Sequence, residues 1–149
     1  MTTLPMSLIM AIAIGVRLLL ALLTGSLSHP ETFEYDVIAN NLLEGKGYLF
    51  EMSMDHGAVL KAWSYCPPLY VWWSAAIYRL FGEVPGRLLV SQWLFALLLC
   101  LVVRASARRL MTDTAARWAA LIVALHPGLT YYSAVKLHPL PLDALLISA

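Results

Sequence analysis

The sequence predicts an all-α protein, specifically a polytopic helical membrane protein with about three full spans and a truncated fourth. Of its 149 residues, 60% are hydrophobic and 13% are charged, a balance that ordinary soluble domains of this size do not show. Several apolar stretches approach the roughly 20 residues that a spanning helix needs. A formal net charge of +1 provides no basic face, which excludes a nucleic-acid-binding protein. We therefore expect the lipid bilayer to be the first partner of this chain.

The apolar stretches divide the chain into spans and loops within one membrane domain, residues 1–149. The predicted order is a span at 4–27, an external loop with interfacial helices at 28–86, a span at 87–105, a basic cytoplasmic loop at 104–117, a span at 117–135, a short external loop at 136–141 and the start of a span at 142–149. The last stretch is shorter than a span, so we expect the chain to be the amino-terminal part of a longer protein.

Charge placement orients these segments. Arginines in short loops mark the cytoplasmic side of a membrane protein, and the strongest cluster consists of Arg104, Arg108, Arg109 and Arg117. The stretch 67–81 is apolar but short, begins with two prolines and is rich in tyrosine and tryptophan, which favour the membrane interface. We therefore predict an interfacial or re-entrant helix there. The amino terminus is then cytoplasmic and the first loop is external.

The external loop carries most of the acidic side chains. Six of the nine acids lie between residues 31 and 55 of this loop, namely Glu31, Glu34, Asp36, Glu44, Glu51 and Asp55. Ser28 followed three positions later by Glu31 forms a capping-box pattern, which predicts that a helix begins at this point. Apolar residues recur at helical spacing as far as Gly45 and Gly47, where the helix should end. The pattern indicates an amphipathic helix on the outer leaflet, in which the acids cap the helix and solvate its outer face.

The order of residues around these acids supports a second interpretation. The spacing E-x-x-x-Y-x-x-x-A-x-x-L-x-x-G-x-G-Y is formed by Glu31, Tyr35, Ala39, Leu42, Gly45, Gly47 and Tyr48. It resembles the first external loop of membrane C-type glycosyltransferases in the protein O-mannosyltransferase and aminoarabinose-transferase superfamily, including its lipopolysaccharide-core branch. The stretches PPLYVWW, YRLFG, GRLL, ARRL and AARWAALIVALHPGLTYYSA follow in the order of that family, so the resemblance covers most of the chain.

The resemblance implies both a chemistry and a location. It implies an inverting transferase that moves a sugar from a polyprenyl-phosphate donor to a hydroxyl of a glycan, lipid or protein acceptor, on the outer face of a prokaryotic plasma membrane. In such enzymes a carboxylate takes the acceptor proton while the hydroxyl attacks the anomeric carbon, and polyprenyl phosphate leaves. Glu31 occupies the position of the family's acidic residue, usually Asp. Because Glu is longer by one methylene group, Glu34 and Asp36 stay open as the base.

The leaving phosphate needs a cation or hydrogen-bond donors as its charge develops. Arg87, in GRLL at the mouth of the second span, matches a family arginine, although an interfacial anchor would have the same pattern. Lys61 is the second candidate, because many relatives carry a lysine directly before Pro-Pro, where this chain has Cys66. Tyr35 and His138 complete the expected substrate-binding residues on the external side.

Arg17 lies in the middle of the first predicted span, where a charged side chain is costly and is expected to be paired or functional. We expect it to pair with a carboxylate of the external loop or with residues outside this chain. Direct contact with the substrate is the alternative.

His138 and Asp143 lie near the place where relatives often carry a further acid. One histidine and one aspartate do not make a convincing metal site, because such a site needs more ligands in suitable geometry. We therefore predict no metal ligand, and a divalent cation stays open as a cofactor.

A different class of function fits the same pattern. A small non-catalytic membrane protein would bind a partner or lipid through the external helices, and replacing Glu31 with glutamine would leave it unchanged. Under the transferase interpretation, later helices of a longer protein complete the groove for the carrier lipid. We then expect the present chain to be inactive alone.

Overall fold

A computed structural model describes residues 4–53, 59–63 and 66–149. In chain order its elements are α1 (Met6–Thr24), α2 (Glu34–Leu43), β1 (Leu49–Ser53), β2 (Val59–Trp63), α3 (Pro68–Phe81), α4 (Pro85–Ala107), α5 (Asp113–Ala124), α6 (Pro127–Val135) and α7 (Leu140–Ser148). The protein is mostly helical, which confirms the broad fold class. Asp55, one of the six acids between residues 31 and 55, lies outside the described residues.

Two helices of the described ranges, α1 and α4, are long and apolar enough to cross a membrane. α1 follows Pro5 and ends at Gly25, whose left-handed backbone (φ 71°) is the conformation that terminates many helices. α4 has Pro85 at its first position, where a missing N–H costs no helical hydrogen bond. The exposed apolar side chains of α1 include Leu19, Leu22 and Leu23. Such a continuous apolar surface is typical of a helix that meets lipid or another protein.

The stretch predicted as a third span, 117–135, consists of two helices in the structure, with a break directly before Pro127. α5 ends at Ala124 and α6 begins at Pro127, with His126 as its amino-terminal cap. Pro127 has no N–H to donate to the preceding turn, and its ring clashes with the carbonyl four residues back, which ends the first helix. Neither half alone has the length of a span.

α5 and α6 nevertheless follow the whole length of α1 in the opposite direction. At one end, Arg117 donates a hydrogen bond to the Leu4 carbonyl (2.7 Å). At the other end, the Ser26 hydroxyl donates to the Ala134 carbonyl (2.6 Å). The 19 residues of α1 measure about 28 Å along the helix axis, which is close to the thickness of a bilayer's hydrocarbon core.

The acidic and basic segments lie at opposite ends of α1. Where α1 begins, Asp113 forms ion pairs with Arg104 (2.8 Å), Arg117 (2.7 Å) and Arg108 (3.3 Å). The hydrogen bonds from Arg104 and Arg117 hold the pKa of Asp113 below its ordinary value. Glu31 follows the other end of α1. A full helix length therefore separates the carboxylates of the first loop from the arginine cluster.

The helix predicted to start at the capping box begins later. α2 starts at Glu34 with Phe33 as its cap residue and no side-chain cap, so Ser28 and Glu31 do not cap it. Its apolar side does not lie free on a membrane leaflet, because Ile38 is fully buried with Val71 of α3 and other core residues. The predicted capping box and the predicted position of the helix on the membrane surface are therefore both wrong. The helical form of α3 is as expected from its sequence, and α2 ends before Gly45, which has a positive φ of 77°.

The first loop also contains a β-hairpin, so the all-α prediction is wrong in this region. β1 and β2 pair in antiparallel register, with Leu49 opposite Trp63. An isolated two-stranded hairpin is marginally stable in water, and this one is attached to the helices through β1. Leu49 is buried, and its carbonyl accepts a hydrogen bond from the Asn41 side chain of α2 (2.8 Å).

Candidate functional site

Glu31 is held by the segment that connects α6 to α7. Its backbone N–H donates to the Val135 carbonyl (3.0 Å), and its carbonyl accepts from the N–H of Leu137 (2.9 Å). These two bonds form an isolated parallel bridge between Glu31 and Lys136. The bridge fixes the position of the proposed catalytic carboxylate relative to the far end of the chain.

The side chains of the same two residues form an ion pair. The Lys136 ammonium lies 2.7 Å from a carboxylate oxygen of Glu31, and it is also close to three aromatic rings. The distances from its nitrogen to the ring centroids are 5.4 Å for Phe33, 5.6 Å for Tyr131 and 5.6 Å for Tyr132. The hydrogen bond to Glu31 raises the pKa of Lys136, so the ammonium stays charged. Lys136 begins the predicted short loop 136–141 and was not among the predicted site residues.

Glu34 and Tyr35 begin α2 beside this pair. Within the described residues, Glu34 makes no ion pair and no side-chain hydrogen bond, so its carboxylate is the least engaged of the three. The Tyr35 ring packs edge-on against Tyr70 (centroids 5.4 Å apart) and His138 (6.2 Å). Burial, together with nearby Cys66, Glu34 and other groups, raises the pKa of Tyr35 to about 12. Its hydroxyl is therefore protonated at neutral pH and is available as a donor.

Asp36 faces α3 and not the Lys136 side of the site. Its carboxylate accepts a hydrogen bond from the hydroxyl of Tyr78. Burial raises the pKa of Asp36, and the Tyr78 hydrogen bond offsets part of that increase. Asp36 is therefore a stronger base than an exposed aspartate, but its partner must move before it can reach a substrate.

His138 is enclosed by aromatic rings and is uncharged at neutral pH. Phe33, Tyr35 and Tyr132 surround it, the last with centroids 4.9 Å apart. Its Nδ1 accepts from the N–H of Leu140 (3.1 Å), which places the proton of the neutral ring on Nε2. Burial lowers the pKa of His138 despite the opposing charges of Asp143 and Glu34. His138 can therefore donate a hydrogen bond to a phosphate but does not bring a positive charge.

Arg87 lines an apolar groove of about 460 Å³ between α3 and α4. Its Nη1 donates to the Phe81 carbonyl at the end of α3, where a cation is favourable for the helix dipole. The other lining residues are Leu27, Ile77, Phe81, Val84, Gly86, Val90 and Ser91. The groove reaches Leu27, which lies just before Glu31 in the sequence. Arg87 is therefore on the same side of the protein as the carboxylates.

Lys61 belongs to the hairpin and is not part of the Glu31 group. Its ammonium pairs with Glu51 on the facing strand at 2.8 Å, and its side chain is 58% exposed. The register places these two residues directly opposite each other. This cross-strand pair explains the position of Lys61 without a substrate.

Arg17 is buried, but its partners differ from those predicted. Its Nε donates to the Ser133 hydroxyl (2.8 Å), and its Nη1 donates to the carbonyls of Ala13 (2.8 Å) and Ala124 (3.2 Å). No carboxylate of the described residues pairs with it. The Ala124 carbonyl is the last of α5 and also accepts from the Thr130 hydroxyl (3.3 Å). Arg17 thus satisfies polar groups that the break before Pro127 leaves without helical partners.

Gln92 connects this buried network to the site. It is fully buried in α4, and its side-chain amide donates to the carbonyls of Ser133 (3.2 Å) and Lys136 (2.6 Å). Its Oε1 accepts from the Tyr70 hydroxyl (2.8 Å). A lone amide inside an apolar stretch is the signal that sequence analysis could have used, because buried polar groups need partners. Gln92 holds the backbone of Lys136 in place.

The described residues include no group of three or more histidine, cysteine, aspartate or glutamate side chains that could hold a metal ion. His138 and Asp143 therefore do not gain a third such ligand within those ranges. Comparisons of the chain with protein-family models, with curated proteins and with solved structures found no match.

Proposed function

We propose that this protein acts in glycosyl transfer at the outer face of a membrane, with a polyprenyl-phosphate sugar as donor and a hydroxyl of a glycan, lipid or protein as acceptor. The observation that carries the proposal is the grouping of Glu31, Glu34 and Tyr35 with the 136–143 segment at one end of α1. The sequence motif that resembles the transferase family contains the first and third of these residues. The proposed location is the plasma membrane of a prokaryote, and a divalent cation stays open as a cofactor.

In this proposal the chain crosses the membrane at least three times. α1 and α4 are two of the spans, and α5 with α6 form a discontinuous third. Broken helices are tolerated at membrane depth where protein surrounds the break, and Arg17 from α1 supplies donors at this one. The amino terminus is then cytoplasmic beside the arginine cluster, and the carboxylates are external.

The apolar groove beside Arg87 supports a lipid-linked donor. A polyprenyl tail stays in the bilayer, so the reacting phosphate must be bound at the membrane surface. An apolar groove with a single arginine has the chemistry for such a ligand, since the hydrocarbon needs apolar walls and the phosphate needs a cation. A second apolar pocket of about 330 Å³ includes Phe95 and Leu142 in its lining. Those residues pack with Tyr70 and Tyr35 of the site.

The reaction requires one carboxylate and one leaving phosphate. The carboxylate takes the proton of the acceptor hydroxyl as its oxygen bonds to the anomeric carbon. The bond from that carbon to the phosphate oxygen breaks, and its electron pair leaves with polyprenyl phosphate, so the anomeric configuration inverts. Glu31 matches the family position, while Glu34 is the one of the three candidate carboxylates that has no ion pair or side-chain hydrogen bond in the described residues. Both are therefore tested as the base.

The proposal is tested in membranes that contain the full-length natural protein. These membranes are supplied with a panel of polyprenyl-phosphate donors that carry labelled sugars, and transfer to endogenous acceptors is measured. Because a general base typically contributes about a hundredfold or more, Glu31→Gln or Glu34→Gln should reduce transfer by that factor at equal membrane expression. Glu51→Gln is the matched control, since Glu51 pairs with Lys61 on the hairpin. Absence of transfer from every donor would reject the proposal.

The non-catalytic alternative has one structural observation in its favour. Leu60 and Trp63 of the hairpin are exposed apolar side chains, at 45% and 66% of their surface. A protein that binds a partner or lipid through its external elements would use such side chains. It predicts that Glu31→Gln has no phenotype, whereas Leu60→Ser and Trp63→Ser together abolish function.

A further inference from the structure

We propose that Lys136 is the phosphate-binding cation next to the carboxylate site, and that its ion pair with Glu31 is exchanged when a lipid phosphate binds. The anionic donor phosphate takes the ammonium, and the Glu31 carboxylate is released for the acceptor. This inference rests on the proposed function for its meaning in catalysis. Its physical content, competition between Glu31 and a phosphate for one lysine, is measurable without sugar transfer.

The position of Lys136 is fixed by its backbone and not by the ion pair alone. Gln92 donates to its carbonyl at 2.6 Å, and the bridge to Glu31 holds its neighbours Val135 and Leu137. A lysine whose backbone is held in this way can change its side-chain partner while staying at the site. Such preorganisation is what a binding residue requires.

Aromatic rings on several sides stabilise the positive charge of the Lys136 ammonium. Phe33, Tyr131 and Tyr132 present rings to it, and ring faces attract cations. Only 19% of the Lys136 side chain is exposed, whereas half of the Glu31 side chain is exposed. An incoming anion therefore meets the lysine from the Glu31 side, and the aromatic rings keep the ammonium at the site during the exchange.

The strength of the existing pair suits an exchange. An ion pair with one partner half exposed is worth little, because water solvates the carboxylate and the long side chains lose freedom. A phosphate offers more negative charge and more acceptor oxygens than a carboxylate does, so it competes well for the same ammonium. Substrate binding and release of the carboxylate are then coupled through Lys136.

The test measures binding of a short-chain polyprenyl phosphate to the purified full chain in nanodiscs, with the uncharged polyprenol as the comparison ligand. Since one charge-assisted contact is lost, Lys136→Met should weaken phosphate binding about tenfold, and Lys136→Arg should retain most of it. Glu31→Gln should strengthen binding severalfold, because the competitor for the ammonium is removed. Polyprenol binding should be unchanged in all variants.

The hairpin provides the matched control, because Lys61 and Glu51 form an ion pair of similar length within the loop that also contains Glu31. Lys61→Met should leave phosphate binding unchanged. Wild-type binding after Lys136→Met, or weaker binding after Glu31→Gln, would overturn the inference. Stronger binding in Glu31→Gln cannot come from misfolding, so this variant keeps the test informative if the Lys136 variants are unstable.

The two proposals fail separately. If phosphate binding follows the predicted pattern and no donor supports sugar transfer, Lys136 is a phosphate site and the transferase proposal is rejected. If transfer occurs but phosphate binding does not depend on Lys136, the transferase stands and the exchange is rejected.

Discussion

Arg17 of α1 donates a hydrogen bond to the carbonyl of Ala124, 107 residues further along the chain, at the point where α5 ends. Each residue supplies the hydrogen-bond partner that the other needs. A broken helix leaves carbonyls without N–H partners, and a buried guanidinium needs several acceptors. The carboxyl end of a helix also carries a partial negative charge, which favours a cation. Pro127 ends α5 and leaves the Ala124 carbonyl without a helical partner, and this carbonyl is one of the acceptors of the buried Arg17.

This relationship predicts that Arg17→Met destabilises the protein. The substitution keeps an unbranched apolar chain but removes three hydrogen bonds. Hydrogen bonds to charged groups contribute about 1.5–3 kcal/mol each before the cost of burying the charge is subtracted. We expect a net loss of about 1–3 kcal/mol on those grounds, measured by thermal unfolding in detergent. Arg79→Met, at an exposed position of α3, is the control and should have little effect. A Met variant as stable as the wild type would mean that Arg17 is retained for function.

A second prediction concerns the contact between the start of α4 and Leu27, in the segment that follows α1. A β-carbon at Gly86 would lie 3.0 Å from the Leu27 carbonyl carbon and closer still to its oxygen. Because backbone cannot yield as a flexible side chain does, Gly86→Ala should lower stability by about 1–3 kcal/mol. It should also change the groove that Arg87 lines.

Gly15→Ala is the matched substitution in α1, where a new β-carbon meets nothing within 4 Å. Alanine is a better helix former than glycine by about 1 kcal/mol, so this variant should be at least as stable as the wild type. Equal melting temperatures for the two variants would contradict the close approach of Gly86 to the Leu27 backbone.

The fold could be predicted wherever local patterns decide the structure. α1, α3 and α4 follow from apolar length, a proline near the start of each helix and, for α1 and α3, a glycine directly after the end. The break before Pro127 follows from the same kind of local signal, because a proline cannot continue the preceding helix. The hairpin was missed because its strands carry mixed polar and apolar residues and so resemble a loop.

The site could be predicted only in part, for a different reason. Glu31, Glu34 and Tyr35 lie within five consecutive residues, so their proximity follows from the sequence. Their contacts with Lys136 and His138 join distant segments, and periodicity gives no information on such pairs. Ser28 and Glu31 matched a capping box, but the backbone of Glu31 is used in the bridge to residues 135–137, which moves the helix start to Glu34.

The third prediction is a pH dependence that arises at Asp36. Burial raises its pKa, and the Tyr78 hydroxyl reduces that increase by stabilising the carboxylate. Tyr78→Phe removes the hydrogen bond, so the folded-state pKa of Asp36 should increase further. The variant should lose about 1–2 kcal/mol of stability at pH 7, where the buried carboxylate is charged and lacks its donor.

The sign of the effect follows from linkage. A carboxyl whose pKa is raised in the folded state binds its proton more tightly there, so acidification favours folding. The stability deficit of Tyr78→Phe should therefore be largest at neutral pH and should narrow as the pH falls through the raised pKa of Asp36. Unfolding measured between pH 7 and pH 4 tests this. Tyr131→Phe, an exposed tyrosine, should show a small deficit that does not change with pH, and a deficit for Tyr78→Phe that grows on acidification would contradict the assignment.

The last prediction concerns the two ends of α1. Ser28 is exposed just beyond its carboxyl end, and Leu110 is 88% exposed in the turn between α4 and α5, beside the arginine cluster. Single cysteines at these positions can be labelled in intact cells with a membrane-impermeant maleimide. Both native cysteines, Cys66 and Cys100, are buried free thiols, so their background labelling should be low. Ser28→Cys should react in intact cells, and Leu110→Cys should react only after the membrane is permeabilised.

This experiment separates the fold from its placement in a membrane. The distance between the two labelled positions follows from the length of α1, so both must lie on one side of the membrane if α1 lies parallel to it. Labelling of both cysteines in intact cells would therefore show that α1 does not cross the bilayer. In that case Glu31 and the groove of Arg87 would have no common access to a lipid-linked donor and an external acceptor. Labelling of Leu110→Cys alone would reverse the orientation, and the positive-inside argument from the four arginines would be wrong.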